Sequence, residues 1–326
     1  MRATVARALG AAGLLMVLAT AQGAAAELAY PSRPVKLIVP FTAGGITDIV
    51  ARLFAQKFSE DLGQRFYVDN RPGAGGNLAM ELAAKSPPDG YTLGVATAGT
   101  HAINPNIYPR MPYDHIKDFV PVTLLSYEAS FLVVNPALPA TTVGELIQLL
   151  KAKPNGYNYA SAGYGSSTHM SAEYFKIRTG TAMTHVPYKG ASEVVQAVMS
   201  GQVDLAFNGL STSLRPVTDG TLRALAITSR ERSPLMPEVP ALGETLAGFE
   251  ALAWNGLVAP AGTPPEVVDV LVRAAQKIVK DPQIAERFRQ MDATAVAGTS
   301  AEFAAFIAAE SRKWAEVAKI SGARVE

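Results

Sequence analysis

The chain has 326 residues, with 29 basic residues against 28 acidic ones and no cysteine. Without cysteine it has no disulfides and no cysteine-ligated metal site. The charges nearly cancel and form no basic run, which argues against a nucleic acid as a partner. The length exceeds what one hydrophobic core usually supports, so we expect two domains.

The first residues have the layout of a secretory signal peptide. Arg2 and Arg7 precede an apolar stretch at 8–21, and three alanines at 24–26 offer a small-residue cleavage site. A membrane anchor would need roughly 20 apolar residues in a row, and this stretch is shorter. We therefore expect residues 1–26 to be cleaved and the remaining 300 residues to be exported to the periplasm.

From residue 35 onward, short β-branched runs alternate with longer amphipathic runs, which predicts alternating strands and helices. The predicted strands are 35–41, 66–70, 92–97, 120–125, 131–135, 158–162, 184–188, 203–207, 222–228 and 253–258. The predicted helices are 47–62, 77–85, 143–151, 167–178, 192–200, 264–280, 282–291 and 301–320. Mostly apolar strands separated by helices indicate parallel sheets buried on both faces, so the predicted fold class is α/β.

Three turns share one construction, in which a strand ends in a glycine- and hydroxyl-rich segment that leads into a helix. These turns are 42–45, 163–168 and 188–192. Glycine lets the backbone approach a ligand, and the first turn of a helix offers free N–H groups and a dipole of roughly +0.5 charge, which favours a carboxylate or phosphate. In parallel sheets ligands bind outside the carboxyl ends of the strands, where these turns lie. Glycine and serine also make ordinary tight connections, but three similar turns favour anion binding.

The sequence gives less support to a catalytic site or a metal site. The four histidines, His101, His115, His169 and His185, lack metal-ligand spacing, and residues 163–167 read G-x-G-S-S instead of the G-x-S-x-G of a nucleophile elbow. We expect no metal and no cofactor. An alternative is an exported hydrolase or transferase with Ser166 or Ser167 as nucleophile and His169 or His185 as general base.

Several side chains near these turns have two interpretations. Asp48 either contacts a ligand amino group or stabilises the first turn of its helix by roughly 0.3–1 kcal/mol. Tyr188 either closes over a ligand or packs at a domain edge, and His169 either donates to a carboxylate or caps its own helix. Trp254 and Trp314 are interpreted as packing residues.

A series of motifs runs in order along the chain: VPFTAGG at 39–45, NRPGAGG at 70–76, PDGYTL at 88–93, YASAG at 159–163, VPYKG at 186–190 and APAGTP at 259–264. In these motifs the chain resembles the Bug-type receptors of tripartite tricarboxylate transporters. The resemblance implies a type II periplasmic-binding-protein fold, in which two α/β lobes close on a ligand by hinge bending. Lobe 1 would comprise 27–127 and 251–326, and lobe 2 would comprise 128–250, with crossings near 126–131 and 249–254.

The resemblance also implies a site in which backbone N–H groups, hydroxyls and ordered waters, and not an arginine, hold the ligand carboxylate. By position, lobe 1 would contribute Phe41, Ala43, Gly44, Asp48, Thr97 and Ala98. Lobe 2 would contribute Ser161, Gly163, Ser166, Ser167, Tyr188 and Asn208.

The expected function is that of a receptor without catalytic activity. It would bind a mono-, di- or tricarboxylate, an aromatic acid or an acidic amino acid, close, and dock on a membrane permease. A receptor that signals to a membrane sensor is the alternative within this class. We expect a monomer, because the sequence shows no long heptad pattern.

Overall fold

The computed structural model describes residues 30–325, and the predicted signal peptide at 1–26 lies outside the described residues. Within this range the strands are β1 (Val35–Val39), β2 (Phe66–Asn70), β3 (Thr92–Thr97), β4 (Phe119–Val134), β5 (Asn158–Ser161), β6 (Thr184–Pro187), β7 (Leu205–Gly209), β8 (Arg223–Ile227), β9 (Leu252–Pro260) and β10 (Ala293–Ala295). The α-helices are α1 (Ile46–Leu62), α2 (Asn77–Ala84), α3 (Asn104–Ile107), α4 (Val143–Ala152), α5 (Ser167–Thr179), α6 (Ala191–Met199), α7 (Leu210–Thr218), α8 (Pro265–Ile278), α9 (Pro282–Gln290) and α10 (Ser300–Ser321). A π-helical turn, Gly99–Ile103, follows β3.

All eight predicted helices are confirmed, with ends within two residues of their predicted ends. Two helices, α3 and α7, and strand β10 were not predicted. The segment of α7 reads LSTSLRPVT and contains Pro216, so it lacks the run of good helix formers that marks the others.

Strand β4 belongs to two sheets. Its first part pairs with β9 as far as Ala129, which lies opposite Leu252, and its second part pairs with β7 from Ser130, which lies opposite Gly209. The sequence predicted two strands here, at 120–125 and 131–135, and that prediction was wrong because the connecting residues stay extended and keep their ladder bonds. One uninterrupted strand therefore joins the two halves of the molecule.

The first sheet has the order β2-β1-β3-β9-β4, and the second has the order β4-β7-β5-β6, with β10 and β8 also paired to β4. The strands β1, β2 and β3 run parallel, and so do β5, β6 and β7. The prediction of wholly parallel sheets was wrong at the centre, where β9 runs antiparallel to β3 and β4. A chain that crosses to a second lobe and returns must run in opposite directions, and β4 and β9 are those two passages.

Helices cover both faces of each sheet. Phe54 and Phe58 of α1 pack with Leu271 of α8 on one face of the first sheet. The C-terminal helix α10 buries Phe303 and Trp314 in a core that also contains residues of the second sheet. Between residues 30 and 325 no helix is both long and apolar enough to cross a membrane. A cavity lies near the carboxyl ends of β3, β5 and β7, where Thr97, Ala162 and Gly209 line it.

Candidate binding site between the lobes

A cavity lies between the two lobes, and its empty space is about 670 Å³ with its open mouth included. This size fits a small metabolite and not a macromolecule. Its wall contains Phe41, Thr42, Gly45, Ile46, Thr47, Thr97, Ala98 and Gly99 from the first lobe, Ala162, Ser166, Ser167, Thr168, Ala191, Gly209, Ser211 and Thr212 from the second, and Glu128, Ser130, Ala253, Trp254 and Asn255 from the crossing strands β4 and β9.

Four helices, α1, α5, α6 and α7, begin at this cavity. Three of them start at a glycine, namely Gly45, Gly190 and Gly209, and have no side-chain cap. Among the helices that begin elsewhere, Thr142, Asp281 and Thr299 cap α4, α9 and α10, while α2 and α8 also lack a side-chain cap. The first N–H groups of a helix have no partner inside the helix and carry the positive end of its dipole. The cavity therefore receives backbone donors from both lobes.

Hydroxyl groups supply further polar atoms of the wall. Ser166 caps α5: its Oγ accepts from the N–H of His169 at 3.2 Å and donates to the carbonyl of Gly163 at 2.7 Å. Ser211 has a buried Oγ without a hydrogen-bond partner among the described residues. No Lys, Arg or His of residues 30–325 lines the cavity. Any anion held here would be neutralised by helix ends and hydroxyls and not by a cationic side chain.

Asp48 positions the turn between β1 and α1 and does not line the cavity. Its carboxylate accepts from the N–H of Gly44, from Arg52 and from Asn70, each at 3.0 Å. Burial raises the pKa of Asp48, but the hydrogen bonds from these three groups outweigh it, so the pKa lies below its ordinary value. Asn70 also donates to the carbonyl of Phe41 at 2.9 Å, which links the turn to β2. This geometry favours the structural interpretation of Asp48.

Five of the sequence-predicted site residues line the cavity: Phe41, Thr97, Ala98, Ser166 and Ser167. Two others, Gly163 and Tyr188, line an adjoining groove between the lobes, which Phe41 also borders. The remaining five lie outside both walls, and they are Ala43, Gly44, Asp48, Ser161 and Asn208.

The residues outside the walls take different positions. Ala43 and Gly44 are exposed on the surface of their turn. Ser161 is buried behind the turn that follows β5 and accepts from the N–H of Gly163 at 3.1 Å. Asn208 is buried and donates to the Oγ1 of Thr212 at 2.7 Å, so it orients a side chain that does line the cavity.

Sequence reasoning missed the part of the wall that the crossing strands provide. Glu128 and Ser130 project from β4, and Trp254 and Asn255 lie on β9. Trp254 does pack in the core as predicted, where its Nε1 donates to Glu310 at 3.2 Å, but it also borders the cavity. The one signal available beforehand was Glu128, the only charged residue of β4.

Glu128 is the only ionisable residue of the cavity wall among the described residues. Its side chain is buried, and neither carboxyl oxygen has a hydrogen-bond partner within residues 30–325. Burial alone raises the pKa of Glu128 to about 8. The free protein therefore holds this carboxyl largely protonated near neutral pH.

The lobes touch at glycines around the cavity. A Cβ atom on Gly99 would lie 2.7 Å from the carbonyl oxygen of Gly165 in the opposite lobe. A Cβ on Gly190 would lie 2.1 Å from the Oγ1 of Thr42. Since the atom opposite Gly99 belongs to the backbone and cannot rotate away, the lobes can meet in this arrangement only with glycine at that position.

The geometry of a serine hydrolase is missing from the described residues. Ser166 bonds to Gly163 and to Thr168, while His169 accepts from the N–H of Gly165 at 3.2 Å. His185 bonds instead to the buried Ser161 at 2.6 Å. Burial lowers the pKa of His169 to about 4 and that of His185 to about 3, so both rings are neutral. Neither imidazole is placed to activate Ser166 or Ser167.

The fold and the cavity together define a two-lobe periplasmic-type solute-binding protein, which confirms the predicted fold class. The structure is similar to that of Rpa4515 from R. palustris with adipate, with a TM-score of 0.88 and 36% sequence identity, covering 91% of this chain and 100% of that one. It is also similar to MatC (Rpa3494) from Rhodopseudomonas palustris with bound malate, with a TM-score of 0.83 and 33% identity, covering 88% and 99% of the two chains.

The sequence comparisons give the family. The model of the tripartite tricarboxylate transporter family receptor matches residues 50–322. Protein BugT of Bordetella pertussis is 35% identical over 322 residues, which cover 98% of this chain and 99% of BugT. The chain belongs to the tripartite tricarboxylate transporter receptor family, as its motifs indicated. It is a solute-binding receptor and not an enzyme, so the hydrolase alternative is set aside.

Proposed function

We propose that this protein captures a small organic carboxylate between its lobes in the periplasm and delivers it to the permease of a tripartite tricarboxylate-type transporter. The observation that carries the proposal is the convergence of helix N-termini from both lobes on a cavity that no cationic side chain of residues 30–325 lines. Such ends bind anions through oriented N–H groups and through the helix dipole.

The ligand acts as a bridge. A ligand carboxylate at the N-terminus of α1 contacts the first lobe. The same ligand contacts the second lobe at the N-termini of α5, α6 and α7. Only a ligand that reaches both lobes stabilises the closed state over the open one, and this difference drives closure. Among the sequence-predicted residues, the contacts we propose are made by Phe41, Thr97, Ala98, Ser166 and Ser167, which line the cavity.

The solved relatives support this ligand class. Adipate in Rpa4515 and malate in MatC are both small dicarboxylates, and both structures share more than 30% identity with this chain over most of its length. The wall described above offers donors for such a carboxylate. Membership of the family supports the proposed docking of the closed receptor on a permease.

The lobe boundaries are part of the proposal. Lobe 1 would comprise 27–127 and 251–326, and lobe 2 would comprise 128–250. The change of partner on β4 between Ala129 and Ser130 supports the first boundary. Export by cleavage of residues 1–26 and a monomeric state remain predictions.

A thermal-shift panel of mono-, di- and tricarboxylates, aromatic acids and amino acids tests the ligand class. An acid present at 100 times its Kd should raise the free energy of unfolding by about 2.7 kcal/mol. Mass spectrometry of ligand carried through purification then identifies the natural acid. Uptake of that acid, compared between a strain with and a strain without the receptor, separates transport from signalling. Absence of a response across the whole panel would refute carboxylate capture.

A further inference from the structure

The cavity wall contains a group that carboxylate binding does not use. Glu128 lies on β4 at the crossing between the lobes, is 3% exposed and borders the cavity. Both of its oxygens lack a hydrogen-bond partner among residues 30–325. Burial is the sole cause of its raised pKa, so no charged neighbour acts on it.

A second unpartnered acceptor lies on the adjacent strand. Asn255 of β9 also lines the cavity, and its amide donates to the Oγ of Ser126 at 3.1 Å while its Oδ1 has no partner in the described part of the chain. The strand pairing places Ala253 opposite Glu128 and Asn255 opposite Ser126. Glu128 and Asn255 are therefore diagonal neighbours on paired strands, offset by two residues. The crossing strands thus present acceptors, whereas the helix ends present donors.

Unpartnered buried acceptors are costly, and a ligand that supplies donors removes the cost. A carboxylate has no donor for the amide oxygen of Asn255, and it can accept a hydrogen bond from Glu128 only while Glu128 keeps its proton; an ionised Glu128 would repel it. A protonated nitrogen has up to three donors and a positive charge, which matches a carboxylate and an amide oxygen in a site of low dielectric.

We propose that Glu128 and Asn255 bind a protonated nitrogen of the ligand while the helix N-termini bind its carboxylate, so that the receptor selects a zwitterionic acid over a plain one. This inference rests on carboxylate capture in the same cavity. Glu128 is then the residue that sets specificity, and its carboxyl is ionised in the complex.

Matched ligand pairs that differ by one amino group test the inference by isothermal titration calorimetry. Suitable pairs are succinate with aspartate, glutarate with glutamate, and butyrate with 4-aminobutyrate. Wild-type protein should bind the amino-bearing member of the best-fitting pair about tenfold to a hundredfold more tightly, as expected for a charged hydrogen bond. Glu128→Gln should abolish that preference, so that the two members of each pair bind about equally.

The control is Glu250→Gln, which makes the same substitution near the second crossing but outside the cavity wall. It should keep the wild-type preference. A wild type that prefers the plain acids, or a Glu128→Gln variant that keeps the preference for the amino group, would overturn the inference while leaving carboxylate capture intact. If no acid binds at all, carboxylate capture itself fails.

A second measurement needs only the wild type. At about pH 6.5, below the pKa of about 8 of free Glu128, binding of an amino acid should ionise Glu128 and release about one proton per ligand. Titrations in two buffers of different ionisation enthalpy count that proton. A plain acid should release none. Tight amino-acid binding without proton release would also contradict the inference.

Discussion

The carboxyl of Glu128 should make the stability of the ligand-free protein depend on pH. Its pKa is raised by burial from 4.5 to about 8. Between these values the unfolded chain ionises Glu128 while the folded protein keeps it protonated. The folded state then binds more protons, so the free energy of unfolding falls as the pH rises through this window and levels off above it.

The size of the effect follows from the two pKa values. At about 1.4 kcal/mol for each pH unit between them, Glu128 costs the folded state about 5 kcal/mol at pH 9 relative to pH 4. Glu128→Gln keeps the shape and removes the titration. The variant should therefore gain on the wild type steadily as the pH rises, by up to about 5 kcal/mol.

Urea denaturation of both proteins at several pH values between about 4 and about 9 measures this difference. Other groups with shifted pKa values, such as His169 and Glu244, titrate in both proteins and cancel. Glu250→Gln serves as the control for the same substitution outside the cavity wall. If the curves for wild type and Glu128→Gln run parallel, Glu128 does not titrate with a raised pKa and the reasoning is refuted.

Three further predictions follow from the lobe contacts and the turns. Gly99→Ala should weaken the best ligand about tenfold or more, since its Cβ would lie 2.7 Å from the carbonyl oxygen of Gly165 and overpacking costs about 1–3 kcal/mol. Small-angle scattering should show that ligand compacts the Gly99→Ala variant less than a Gly144→Ala control, in which the nearest atom lies 4.0 Å from the added Cβ. Equal compaction of the two variants would contradict closure through Gly99. Asp48→Asn should destabilise the protein by about 1–3 kcal/mol at neutral pH, since it weakens three hydrogen bonds. Because the pKa of Asp48 is lowered on folding, its contribution is present above the ordinary value of 3.8 and is lost as the pH falls through the folded value, so the two proteins should converge in acid. Ser166→Ala should lower the free energy of unfolding by about 1 kcal/mol, because it removes the N-cap of α5. Ser167→Ala should lower it by less, and equal losses of stability in thermal denaturation would argue against the cap.

Much of the architecture was readable from local patterns. The glycine-rich turns after β1 and β5 lead into α1 and α5, and Phe41, Ser166 and Ser167 from these turns reach the cavity wall. The turn at 188–192 brings Ala191 to the wall, while Tyr188 lies in the adjoining groove. These signals depend on neighbours along the chain, namely a strand, a flexible turn and the first N–H groups of a helix.

Other features required the tertiary structure. The start of α7 was not visible, because its segment lacks a clear helical pattern and contains Pro216. Whether Asp48 faces a ligand or its own turn depended on Asn70, which only the pairing of β1 with β2 brings near.

The sequence by itself determined the α/β class, most of the elements and the family, and it predicted the turns from which two helices begin at the cavity. The tertiary structure decided which side chains share the cavity, because β4 pairs with β9, β7 and β8, which lie far along the chain. In the sequence alone, Glu128 is only an isolated charged residue within β4. The pairing of strands that places Glu128 beside Asn255, among donors from both lobes, gives this carboxyl its environment and its proposed role.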